Sequence, residues 1–87
     1  SAADARARMV ALKNRLAKYD LSVARFYMKR GAWLAAANRA KFVVQSYPDT
    51  DTLQPALQIM TQAYDKLGLA EMANHAEAVL KANFPAG

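Results

Sequence analysis

Few side chains in this 87-residue chain could do covalent chemistry. It has one histidine and no cysteine, so a Cys–His nucleophile and a thiolate metal site are both absent. His75 lies between Asn74 and Ala76 on a helical stretch, where a solvated or rim imidazole explains it without catalysis. Asp49 and Asp51 are two apart in a loop, a spacing that suits helix capping better than paired acid–base work. Gly31, Gly68 and Gly87 make no phosphate-cradling loop. The residues therefore point away from an enzyme and imply no cofactor and no metal. What remains is recognition. Arg39 and Lys41 stand between apolar positions of one helix and are the first candidates for a partner-binding surface, with Arg30 and Asn38 next. The bland reading of Arg39 is a surface arginine whose stem covers its neighbours.

Charge narrows the partner. The net charge is +5, and it is unevenly placed. Residues 1–41 carry ten Lys/Arg against two Asp, giving +8; residues 42–87 carry two Lys against five Asp/Glu, giving −3. Such asymmetry suits an acidic protein surface, nucleic acid or anionic lipid on the N-terminal side, or simply a solvated helix face. A basic helical nucleic-acid binder is the alternative function, because Tyr19, Phe26 and Tyr27 interleave with the cations. Those aromatics lie on the apolar stripe, however, and read as core. Membrane-surface binding is disfavoured for the related reason that the apolar faces are claimed by helix packing.

The elements that must position these residues are all helical. No Gly or Pro interrupts residues 1–30. Met9, Leu12, Leu16, Tyr19, Val23, Phe26 and Arg30 recur at alternating spacings of three and four, predicting one long helix from about Asp4 to Arg30 with that stripe inward. Gly31 supplies the left-handed residue on which a helix commonly ends. A second helix is expected over 32–46, with Leu34, Ala37, Ala40, Val44 and Tyr47 on one face and small alanines allowing close approach. Pro48 stops it, and Thr52 caps a third helix over 53–67 that carries Leu53, Leu57, Met60, Tyr64 and Leu67. Gly68 ends that one. The fourth, 70–83, turns Met72, Ala73, Ala76, Val79 and Leu80 inward before Phe84-Pro85.

The second half repeats the first. Tyr27/Tyr64, Lys29/Lys66, Gly31/Gly68, Ala36/Ala73 and Pro48/Pro85 are each thirty-seven residues apart. A period near 34 with Gly, a small residue, an aromatic and a terminal Pro at fixed offsets marks a tetratricopeptide-type helix–turn–helix repeat. The fold expected is all-α: hairpins stacked as a short right-handed solenoid with a long N-terminal helix, one domain over 1–87. About three repeats are usually needed to bury a continuous core, so two hairpins read as a fragment of a longer chain. The N-terminal part of the long helix should then pack against preceding repeats or a partner. No apolar run reaches membrane-spanning length, and SAADARAR lacks the core of a signal peptide, so this segment is expected to be soluble.

One block carries a family resemblance: LKNRLAKYDLSVARFYMKRGAWLAAANRAKFVVQSYPDT, Leu12–Thr50. With Asn38-Arg39 and YPDT, it resembles the C-terminal repeats of the BamD (ComL) outer-membrane assembly lipoprotein family, and the likeness continues through Pro55–Pro85. The resemblance implies a non-catalytic scaffold on the periplasmic face of the bacterial outer membrane, anchored by a lipid that this chain does not carry. It implies docking to the periplasmic POTRA domains of the barrel-forming subunit and to smaller assembly lipoproteins, with no nucleic acid. It places the docking role on Arg39, and also on Tyr27 and Arg30. Arg25 and Lys29 depart from the pattern, standing where that family often carries acidic residues.

Overall fold

The computed structural model describes residues 1–85. Four helices follow one another: α1 (Ala2–Lys29), α2 (Trp33–Ser46), α3 (Leu53–Lys66) and α4 (Ala70–Asn83). Each packs on the next, and α1 also touches α3. The result is two antiparallel hairpins stacked along an elongated body of 50 × 28 × 17 Å. The all-α hairpin architecture read from the sequence is thus the observed one. The helix ends lie within two residues of those expected.

Both hairpin turns are built the same way. After α1 the Gly31 N–H donates to the Met28 carbonyl (3.1 Å) and the Ala32 N–H to the Tyr27 carbonyl (3.0 Å). After α3 the Gly68 N–H donates to Asp65 (3.0 Å) and the Leu69 N–H to Tyr64 (2.9 Å). This paired closure needs a left-handed residue just past the helix, and Gly31 (φ 72°) and Gly68 (φ 74°) supply it. A methyl group at Gly68 would meet nothing within 4 Å. Gly68→Ala is therefore expected to lower stability through backbone strain alone, by about 1–2 kcal/mol. A thermal melt compared with wild type checks this; an unchanged midpoint would show that the turn does not hold φ positive.

The interhelical core is made largely of alanine. Ala17, Ala24, Ala36, Ala37, Ala40, Ala56 and Ala63 are fully buried, around the larger Leu21, Val43, Leu57, Ile59 and Tyr64. Small side chains at the crossings let helix axes approach closely, which favours dispersion contacts between backbones. Burial also pushes the Tyr64 phenol above its ordinary pKa of 10, because desolvation disfavours the phenolate.

The inward face of α1 differs from the one expected. Its buried residues are Ala17, Asp20, Leu21 and Ala24, with Tyr27 and Met28 partly buried against the core. The stripe Met9, Leu12, Leu16, Tyr19 and Phe26 is exposed, and only Val23 within it is half-buried. Two apolar faces compete on this helix. The one with alanines at 17 and 24 fits the alanine face of α2; the bulky one does not. For similar reasons Leu34 and Met72 point outward while Ala36, Ala40, Ala73 and Ala76 take the contacts, and Leu67 is also exposed. The expectation that every aromatic of α1 is core fails for Tyr19 and Phe26, and with it the premise that all apolar faces are already covered.

Thr52 occupies the N-cap position of α3, but its side chain makes no capping hydrogen bond. The loop is held instead by Thr50, whose hydroxyl donates to the Tyr47 carbonyl (2.9 Å) and lies 2.6 Å from the Thr52 hydroxyl. Asp49 reaches Lys13 of α1 at 3.3 Å across an exposed gap. Exposed pairs of this kind contribute little.

Candidate protein-docking surface

Arg39 is held in place rather than free. It lies on the α1 side of α2, and its Nη1 donates to Asp20 Oδ1 at 2.9 Å. The Asp20 side chain is only 12% exposed, against 37% for Arg39. Asp20 sits in the run Ala17–Leu21–Ala24, so the helical period that buries those residues buries the carboxylate too. A buried carboxylate needs a cationic or hydrogen-bonding partner, and α2 delivers one from nineteen residues away. Sequence reasoning missed Asp20. The signal was present in its three- and four-residue spacings to Ala17 and Ala24.

The other candidates fall into separate places. Tyr27 and Arg30 come together at the end of α1, where the Arg30 guanidinium lies 4.4 Å from the centroid of the Phe26 ring and Phe26 meets Tyr27 edge-on at 5.8 Å. A guanidinium over a ring face is held electrostatically while its edges stay wet. Asn38 is exposed on α2. Lys41 turns away from Arg39 and lines a hollow of about 360 Å³ between α2 and α4, floored by Met60 and Tyr64 of α3 and rimmed by Glu71, Met72 and His75. Tyr27, Arg30, Arg39 and Lys41 are thus spread over the hairpin rather than gathered into one patch. No group of His, Cys, Asp and Glu that could hold a metal occurs among the described residues, nor does a helix long and apolar enough to cross a membrane.

The largest apolar exposure is on α1. Met9 (69%), Leu12, Leu16, Tyr19 (64%) and Phe26 form an exposed apolar stripe, and Val10 is exposed on another face of the helix. No residue before Ala17 is buried. The internal repeat shows what this face is. Thirty-seven residues on, Tyr19 corresponds to Ala56 and Phe26 to Ala63, and both alanines are fully buried. Stacked hairpins with exposed polar side chains on rigid helices and an exposed apolar stripe are features of a helical-repeat protein.

Comparison with known proteins gives its family. The family described as "YfiO: Outer membrane lipoprotein" matches residues 1–80. The chain belongs to this outer-membrane lipoprotein family. Among curated relatives named "Outer membrane protein assembly factor BamD", that of Neisseria meningitidis serogroup A is 50% identical over 84 residues, covering 97% of this chain and 32% of the relative. The Vibrio cholerae protein is 45% identical over 82 residues, covering 94% and 34%. That of Haemophilus influenzae is 44% identical over 80 residues, covering 92% and 30%. The chain therefore spans about a third of the length of these relatives. The family resemblance read from Leu12–Thr50 is the family found.

Proposed function

We propose that this chain is a non-catalytic docking segment of an outer-membrane protein assembly factor. It binds the POTRA region of the barrel-forming subunit through the Arg39 side of the hairpins and works at the periplasmic face of the outer membrane. The relatives' shared name supports the assembly role. The observation that carries the scaffold reading is the uncovered α1 face, whose repeat equivalents in α3 are buried. In a longer protein the preceding hairpin covers Tyr19 and Phe26 as α1 and α2 cover Ala56 and Ala63. Covering each large apolar side chain is worth roughly 1.5–3 kcal/mol, so this face would hold an open stack together.

That assignment leaves the polar candidates for partners. Arg39 offers a guanidinium more than a third exposed, and Asn38 and Lys41 are exposed on α2, whereas Arg30 lies over Phe26 and Tyr27 is partly buried against the core. Smaller assembly lipoproteins are the further partners in this reading. Titrating the purified POTRA region into the protein by calorimetry is expected to give saturable binding that weakens only moderately with salt. Flat titrations at low salt would sink the docking reading. Oligonucleotides run as a second titrant should give none of the steep salt-dependent binding of a phosphate-driven complex.

A further inference from the structure

We propose that the edge carrying both hairpin turns rests on a lipid surface, with Leu34, Leu69 and Met72 entering the headgroup layer and Lys29, Arg30 and Lys66 meeting lipid phosphates. This rests on the family's place at the outer membrane and not on the POTRA reading. Membrane-surface binding is disfavoured only where helix packing claims every apolar face, and here it does not.

In the stacked hairpins α1 and α3 run toward this edge and α2 and α4 run away from it, so the turns at Gly31 and Gly68 share it. Lys66 Nζ lies 5.6 Å from the centroid of the Trp33 ring, which joins the second turn to the first. Leu34 (57%), Leu67, Leu69 and Met72 (44%) are exposed, and each lies within four residues of one of the two glycines. At about 1.5 Å of rise per residue, that places them within about 6 Å of the tip. An interfacial apolar face sinks to a comparable depth, roughly 5–10 Å. The repeat itself does not bury this edge. Leu34 corresponds to Glu71, thirty-seven residues on, which stays exposed with the first hairpin packed beside it.

Lys29, Arg30 and Lys66 are exposed at the same edge, and none has an ion-pair partner among the described residues. Their long stems cover apolar surface while the charge stays among water or phosphates, as Arg30 does over Phe26 at 4.4 Å. Asp65 and Glu71 also stand at the second turn, so three cations less two acids leave an excess of one positive charge. Apolar burial therefore carries most of the binding. The opposite edge is of another kind. From Tyr47 to Leu53 no large apolar side chain is exposed, and Asp49 and Asp51 face solvent. A lipid tether fixes how far a protein strays from its membrane but not which way it faces. One apolar, cationic edge opposite an acidic one supplies the orientation.

The test sediments the full-length protein, prepared without lipid modification, with vesicles of phosphatidylethanolamine and phosphatidylglycerol at low salt. Wild type is expected to bind. The double variant Leu34→Ser/Leu69→Ser is expected to bind at least about tenfold more weakly, since interfacial affinity scales with buried apolar area. Both sites are exposed and serine suits position 69, the N-cap of α4, so this variant should fold, which circular dichroism verifies. Should it not, Met72→Ser takes its place, with weaker binding as the expected result. Lys29→Glu/Lys66→Glu should lower both the binding and its dependence on salt. Asp51→Asn, at the opposite edge, should not weaken it. No vesicle binding by wild type, unchanged binding by either double variant or by Met72→Ser, or an equal loss in Asp51→Asn overturns the proposal. So does a loss of POTRA affinity in the Leu34/Leu69 variant with vesicle binding intact, which would make the edge a protein-docking surface. The docking reading stands or falls separately, on the calorimetry of the wild-type protein.

Discussion

Arg39→Glu is expected to cost about 3 kcal/mol of stability, because it leaves the buried Asp20 carboxylate facing a second negative charge. Asp20 is 12% exposed and receives its one hydrogen bond from the side chain that would be lost. The figure is set at the low end for a broken buried pair because Arg39 is itself 37% exposed and water can partly enter. In a chain of this length, each kcal/mol moves the melting midpoint by about 4–8 °C, so the shift is readily measured. A surface arginine covering its neighbours with its stem would shift it far less. The same substitution is expected to weaken docking at least thirtyfold, the loss typical of an arginine at the centre of an interface. Affinity must be read on the folded protein below its midpoint, which separates the two effects. A stable Arg39→Glu protein that binds the POTRA region normally would remove Arg39 from both roles.

The second large effect is purely structural. Leu57 is 2% exposed on α3 and is one of the two largest fully buried side chains. Most of the other buried residues are alanines, which have no rotamers with which to fill a gap. Leu57→Ala should therefore leave most of its cavity open and cost about 3–5 kcal/mol, the upper part of the range for such truncations. Denaturant melts report it as a lower midpoint with little change in slope. A loss below 1 kcal/mol would mean that α3 slides to close the space. Because α3 touches α1, α2 and α4, this one site weakens both hairpins at once.

Much of the docking surface was legible in part only. The sequence reading found Arg39 but offered for it a stem lying over its neighbours; the structure gives it an ion pair with Asp20. That contact joins two helices across a hairpin: the spacing of Asp20 to Ala17 and Ala24 announces its burial, but nothing in α1 says which cation meets it. Tyr19 and Phe26 show the converse. Their spacing is that of an inward stripe, yet in this chain they face outward, because a long helix can carry two apolar faces and only one is met by α2. The hollow between α2 and α4 likewise brings Lys41 near Met72 and His75, which lie one helical turn apart on α4 but which no linear spacing relates to Lys41.

What the sequence determined by itself is where each helix stops and that the hairpin occurs twice. Gly31 and Gly68 need no distant partner to take positive φ, and Pro48 and Pro85 need none to forbid another helical turn. Those are local effects, carried by covalent geometry, so thirty-seven residues later the same residues give the same turn. Only the tertiary structure decided which face of α1 is core and which is left exposed. That choice depends on shape across an interface: Ala17 and Ala24 let the alanines of α2 come close, whereas Tyr19 and Phe26 would hold them apart. The same choice buried Asp20, and a buried carboxylate then drew Arg39 to it.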